Sequence, residues 1–359
     1  GEVFTQGGLF LFLLAAVLFT ASNLLTPYLL HRMIGSEEVY RATMSYLDWR
    51  VYGFFFSFIA VMFRAFYVST TNTKILTANS VVMVLTNVVL NYILIFGKFG
   101  FPALGIDGAA IVSSISEAVS VLFFVIYTWK KIDYKKYGLF RFTRVDFRML
   151  GQILSVSIWV MIQHGIAFGG WFIFFIAMEH LGERPLAITN VVRSISSFLF
   201  MFVNAFASTN SSLVSNLIGA GESDRVLPLC RRMIGLCYAF VLPIGILIAM
   251  FPSTVLRIYT DNPDLIASSI PSLWVMLSSY LFAVPGFIYF FSVSGTGNTR
   301  RALEIDMASI FVYVLYILYV AVWLRADVAV CWTTEYVYNI MILSSFFYLW
   351  KGNWRNKKI

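Results

Sequence analysis

Read for its hydrophobic and polar positions, the chain is a succession of long apolar runs separated by short polar stretches. Ten runs approach or exceed 20 residues: 8–31, 49–69, 75–96, 107–129, 149–177, 187–216, 233–252, 268–294, 302–324 and 328–350. About 20 apolar residues is the length at which an α-helix crosses a bilayer. Lipid offers no partner to a loose backbone amide or carbonyl, so each run belongs to a helix or to a closed barrel. Barrel strands alternate in character and last about ten residues. These runs are continuous and longer. The pattern predicts an all-α integral membrane protein with ten transmembrane helices.

Composition agrees. Of 359 residues 59% are hydrophobic and 12% charged, with 35 Phe and 19 Tyr. A soluble domain carries about a quarter charged residues. A soluble enzyme and a disordered chain are both excluded. The net charge of +8 resides mainly in the loops, so it is a topology signal and no nucleic-acid partner is expected. With a cytoplasmic N-terminus, the cytoplasmic side receives Lys74, the basic stretch 130–148, Arg225, Arg231, Arg232, Arg300, Arg301 and the basic tail. The other side receives fewer: Arg32, Arg41, Arg50, Lys98, Arg184, Arg257 and Arg325. This bias places both termini in the cytoplasm. Cys230, Cys237 and Cys331 are odd in number and lack metal spacing, which makes them buried structural thiols.

The chain also repeats itself. Residues 26–74 lie over 252–300 without a gap, so that Leu30 meets Leu256, Phe56 meets Phe282 and Asn72-Thr73-Lys74 meets Asn298-Thr299-Arg300. Past a shortened loop, Ser116-Glu117 meets Thr334-Glu335. The copies share their membrane orientation, a parallel repeat. Residues 146–226 have no upstream partner and the chain starts with Gly. We therefore expect a fragment of a 12-helix, two-lobed protein whose first two helices are missing. The expected parts are an N-terminal lobe 1–129 with four helices, a basic cytoplasmic linker 130–148, a six-helix C-terminal lobe 149–350 and a cytoplasmic tail 351–359.

Three stretches resemble the multidrug and toxic compound extrusion (MATE) family. They are Asn87-Val-Val-Leu-Asn-Tyr-Ile-Leu-Ile-Phe-Gly-Lys-Phe-Gly-Phe-Pro-Ala-Leu-Gly-Ile-Asp-Gly-Ala-Ala-Ile111, Ser212-Leu-Val-Ser-Asn-Leu-Ile-Gly-Ala-Gly221 and Ser294-Gly-Thr-Gly-Asn-Thr-Arg300. The resemblance covers the whole chain, from the family's third helix to its twelfth. It implies an ion-coupled antiporter of a bacterial-type inner membrane. Such a protein exports cationic or amphipathic small molecules in exchange for sodium ions or protons, by rocking of its two lobes, and needs no cofactor beyond that cation. The expected partners are the small-molecule substrate, the coupling cation and the lipid bilayer, and the expected state is a monomer. The chain departs from the family at the coupling positions. Ile162-Gln163-His164-Gly165 and the region of Ala283 hold no carboxylate where sodium-coupled members carry one.

Charge within a span is costly and marks a pathway or a pair. Glu117 and Glu335 occupy equivalent repeat positions and read either as cation carriers or as members of structural pairs within their lobes. Arg64 and Arg193 are the intramembrane cations. Asn190, Arg193, Ser197, Met201, Asn204 and Ser208 follow one another at steps of three and four, one helix face that lines a cavity or glues helices together. Gln163 and His164 sit mid-span; His164 either relays protons or is a hydrogen-bonded structural residue. Rings such as Trp159, Phe168, Trp171, Tyr280 and Tyr289 suit flat cations, although most rings pack or face lipid. Gly219-Ala-Gly221 and Gly295-Thr-Gly297 follow helices and read as turns, not phosphate loops. The site candidates are thus Arg193, Asn190, Asn204, Gln163, His164, Glu117 and Glu335. A lipid-linked saccharide flippase is the alternative transporter, though it wants a more basic cavity. A membrane acyltransferase is the alternative enzyme, though no His-carboxylate cluster supports it.

Overall fold

A computed structural model describes residues 1–33, 37–132, 134–139, 145–352 and 354, and every regular element among them is a helix. The chain forms two compact units, Gly1–Ile153 and Leu154–Ile359. The first contains α1 (Glu2–Met33), α2 (Glu37–Arg50), α3 (Gly53–Ser69), α4 (Lys74–Leu94), α5 (Gly105–Lys131) and the single-turn α6 (Tyr134–Tyr137). Helix α7 (Phe147–Leu181) begins in the first unit and continues into the second. There follow α8 (Glu183–Gly219), α9 (Val226–Met250), α10 (Pro252–Leu256), α11 (Pro263–Gly295), α12 (Thr299–Ile317), α13 (Val328–Cys331), α14 (Thr334–Leu343) and α15 (Ser345–Lys351).

Among the described residues, eight helices are long and apolar enough to cross a membrane, and a ninth span arises if the bent pair Tyr40–Arg50 and Gly53–Ser69 is one. The expected count of ten differs at the last run. Residues 328–350 form three short helices, none of which spans alone. At the first break, after Cys331, hydroxyls compete for helix carbonyls. Thr334 Oγ1 donates to the carbonyl of Cys331 at 2.6 Å and Thr333 Oγ1 to that of Val330 at 2.5 Å. The run 49–69 is bent by 48° at Val51–Tyr52. Run 302–324 ends in a π-helical turn, Leu318–Trp323. Residues 133 and 140–144 of the expected linker, and 353 and 355–359 of the expected tail, lie outside the described residues.

The family-like stretches are helix punctuation. Gly221 adopts a left-handed φ of 77°. Its amide reaches the carbonyl of Ile218, and that of Glu222 the carbonyl of Leu217, a left-handed closure that satisfies the last carbonyls of α8. Gly297 (φ 77°) turns the chain into α12, where Asn298 accepts from the Arg301 amide at 3.3 Å and donates to Tyr348 Oη at 2.8 Å. In the first stretch, the Leu104 amide closes onto the Leu94 carbonyl at 2.8 Å.

Each unit has its own core. In the first, Phe63, Tyr67, Ile75 and Phe124 cluster, and Tyr67 Oη meets Thr128 Oγ1 at 2.6 Å. In the second, a larger core runs from Phe174 to Trp354. It is crossed by a polar knot in which Asn210 Nδ2 donates to Ser292 Oγ at 2.7 Å, beside Cys230. Large apolar side chains also cover the outside: Leu24, Val88, Phe147 and Trp323 are among those exposed. That distribution suits lipid. All three cysteines are free and buried.

Candidate functional site

Within the Leu154–Ile359 unit, α7, α8, α11, α12 and α14 enclose a cavity of about 540 Å³. Its walls are largely aromatic. Phe168, Trp171, Phe172 and Phe175 come from α7, Phe200 from α8, and Tyr280, Phe287 and Phe290 from α11. Small residues make the room: Gly170 and Ala283 line it, and Gly170 already sits against Ile310, so a larger residue there would press on α12.

Polar groups enter at a few points. Helix α8 contributes Arg193, Ser196, Ser197 and Asn204, and α7 contributes Gln163 and His164. The Arg193 guanidinium lies over the Phe175 ring, 4.4 Å from its centroid, a cation–π contact. Among the described residues it forms no ion pair. Two carboxylates share the cavity, Asp306 from α12 and Glu335 from α14. Asp306 is buried and accepts a hydrogen bond from Tyr338 Oη at 2.9 Å. Tyr280 Oη donates to the Ser196 carbonyl at 2.7 Å, tying α11 to α8. The side-chain oxygens of Gln163 and Asn339 and the hydroxyl of Tyr313 are buried without a hydrogen-bond partner among the described residues.

Five of the seven residues expected from sequence therefore meet here: Arg193, Asn204, Gln163, His164 and Glu335. Asn190 is exposed and does not line the cavity, because the polar face of α8 outruns the cavity by a turn at each end. Glu117 lies in the other unit, where its two carboxylate oxygens accept from Arg50 at 2.7 and 3.1 Å. Arg64 is likewise in that unit, exposed on α3. Asp306 escaped the sequence reading. It falls near the start of an apolar run beside Arg300, Arg301 and Glu304, and so resembles a helix-end acid. Its step of seven before Tyr313, which puts both on one face, was the available signal. Among the described residues no group of three or more His, Cys, Asp or Glu could hold a metal ion.

The MatE family model matches residues 1–93 and 166–322. A probable multidrug resistance protein NorM of Thermotoga maritima is 28% identical over 239 residues, 66% of this chain and 50% of that protein. A probable multidrug resistance protein YoeA of Bacillus subtilis is 26% identical over 275 residues, 76% of this chain and 59% of that one. The chain thus spans about half the length of the curated relatives it matches. Among solved structures, a MOP superfamily transporter from Pyrococcus furiosus superposes with a TM-score of 0.86 at 16% identity, over 98% of this chain and 78% of the other. The Vibrio cholerae MATE transporter VcmN in its bent form gives 0.81 at 17% identity, with the same coverage. At such identities the likeness speaks for the fold.

Proposed function

The chain belongs to the MatE family, and from that premise we propose that it serves a secondary transporter that exports cationic or amphipathic organic molecules. It is a multi-pass membrane protein with an all-helical transporter fold. In this reading the two units belong to two lobes, 1–129 and 149–350, that alternate access across a bacterial-type plasma membrane. Both termini are cytoplasmic, and entry of sodium ions or protons drives export.

The observation that carries the reading is the aromatic cavity with its charges. Ring faces attract a flat organic cation and tolerate varied shapes. Carboxylates held in a largely apolar cavity act more strongly on such a cation than they would in open water. A cavity of about 540 Å³ falls within the range of pockets for drug-sized ligands, about 300–1,000 Å³. No nucleotide motif supports direct ATP drive. One intramembrane arginine in the cavity is a poor cradle for a lipid-linked pyrophosphate, so the flippase reading gains no support.

The test uses the protein expressed from its complete gene in a host stripped of its own efflux pumps. Export of a fluorescent organic cation is followed while the sodium and proton gradients are collapsed separately. Export should fail with one of the two. Export that survives the loss of both gradients would overturn the antiport reading. Arg193→Ala, which removes the cation over Phe175, should lower the export rate roughly ten-fold, the scale of one charged contact. Full export at normal expression would remove Arg193 from the machinery.

A further inference from the structure

The first family-like stretch contains a loop that the candidate site does not use. Residues 95–104 join α4 to α5, and their backbone is tightly closed. The Lys98 amide reaches the Ile93 carbonyl at 3.0 Å, the Phe101 amide that of Lys98 at 3.2 Å and the Leu104 amide that of Leu94 at 2.8 Å. The limbs also press together: a Cβ on Gly97 would stand 2.7 Å from the Ala103 amide nitrogen. At the tip Phe99 takes a left-handed φ of 56°, between Gly97 at 65° and Gly100 at 85°. Glycine enters that region freely, whereas a bulky ring does so at a steric cost. Such strain persists where something else holds the residue in place. Among the described residues the Phe99 side chain joins neither core. It is 82% exposed, the highest value of any large apolar side chain among them.

The neighbours of Phe99 are of the same kind. Phe96 and Phe101 are also exposed. Helix α4 presents an exposed apolar row, Val81, Leu85, Val88 and Tyr92, at the steps of three and four that make one face. Phe96 continues this row past the helix end, its ring 6.3 Å from that of Tyr92. Helix α4 has 21 residues and is apolar enough to cross a membrane. Its rise of roughly 30 Å matches the hydrocarbon core of a bilayer. The loop at its end therefore falls where hydrocarbon gives way to headgroups. Lys98 is exposed among the rings and forms no ion pair among the described residues. A lysine at that depth lays its stem on apolar surface and extends its ammonium to the polar boundary. Rings flanking a cation complement a phospholipid surface, apolar below and anionic at the phosphates. In water the same rings would form an exposed apolar patch.

We propose that the 95–104 loop is an interfacial membrane anchor. Phe96, Phe99 and Phe101 insert at the boundary of acyl chains and headgroups, and Lys98 meets a phospholipid phosphate. Removing the Phe99 ring from water is favourable and offsets the strain in its backbone. The closed backbone presents the rings as a rigid wedge. The wedge fixes the depth at which α4 and α5 join, and interfacial anchors of this kind set the tilt of the helices they end. It acts whatever the protein carries.

The experiment uses the protein expressed from its complete gene, in nanodiscs of phosphatidylethanolamine and phosphatidylglycerol. Codon suppression puts para-fluorophenylalanine in place of Phe99, which nearly preserves the ring and gives a single fluorine NMR signal. Two paramagnetic probes are compared: a phospholipid spin-labelled high on its acyl chain, and an aqueous gadolinium chelate. The labelled lipid should relax the fluorine several-fold more than the chelate does. Stronger relaxation by the chelate would place the ring in water and overturn the anchor. Weak relaxation by both would place the ring against protein and overturn it equally. A second measurement separates anchoring from mere contact. The fluorine is moved to Phe101 and F99G is introduced; glycine suits the left-handed φ at this position, so the loop keeps its closure. Loss of the Phe99 ring should weaken the effect of the labelled lipid at Phe101 and strengthen that of the chelate. Unchanged relaxation at Phe101 in monodisperse F99G would show that Phe99 does not hold the loop in the bilayer, against the proposal. Should F99G fail to fold, the reporter at Phe99 in the native fold still decides.

Discussion

Replacing Arg50 by alanine should destabilise the Gly1–Ile153 unit by about 3 kcal/mol, the lower end of the cost of breaking a buried ion pair. The lower end applies because Arg50 is still 29% exposed. The loss is not mainly that of two hydrogen bonds. It is the cost of Glu117 left charged between α2 and α5 with no cation to answer it. A second substitution, Glu117→Gln, should therefore return most of the loss when added to Arg50→Ala, since it removes the stranded charge. The two residues touch, so their effects must be coupled and not additive. Thermal unfolding of the detergent-purified protein reads this directly. At roughly 2–4 °C per kcal/mol for a unit of this size, the single variant should melt about 6–12 °C lower and the double variant close to the native protein. Equal losses in the two variants would show that the pair contributes only its bulk.

Gly295→Val should have an effect of similar size in the other unit. At the end of α11, a Cβ on Gly295 would stand 2.5 Å from the carbonyl oxygen of Ser211 on α8. That atom is backbone and cannot swing aside. Ser215 Oγ also donates to the Gly295 carbonyl at 2.7 Å, which draws the two helices together. Small residues at such crossings let backbones approach in membranes. Overpacking costs about 1–3 kcal/mol, and the lost Ser215 bond about 1 more. A drop in the yield of monodisperse protein, with a melting point lowered by about 5 °C or more, is the expected result. Gly219→Ala is the control, since a Cβ there meets nothing within 4 Å. Equal behaviour of the two variants would refute close contact at this crossing.

Much of the fold was legible because lipid enforces a simple rule on each run. Eight apolar runs coincide with helices long enough to span and a ninth, 49–69, falls across a bent pair; the ends differ by a few residues where Asn262 or Gly221 caps the chain. What was not legible is where a helix breaks without glycine or proline. Run 328–350 reads as continuous, yet it breaks at Thr333 and Thr334, whose hydroxyls bond back to helix carbonyls. Their hydroxyls are mild in composition and decisive in hydrogen bonding. The bend near Val51 adjoins Gly53, a single glycine that does not interrupt the apolar pattern of the run.

The site divides likewise. Arg193, Gln163, His164, Asn204 and Glu335 stood out as polar residues in apolar surroundings. Asn190 stood out equally, but helical periodicity gives a face and not the depth of a cavity along it. The equivalence of Glu117 and Glu335 was visible, whereas their difference was not. It depends on Arg50, which sits at the edge of a run where a basic residue attracts no notice. Only the contact across 67 positions of sequence turns it into a partner.

The burial of the cysteines makes the protein a ready platform for site-directed labelling. Cys230, Cys237 and Cys331 are all fully covered, so a maleimide dye should find almost no thiol on the folded native protein. A cysteine placed at exposed Asp261, in the turn before α11, would then carry a reporter by itself, without first stripping out residues that pack the core.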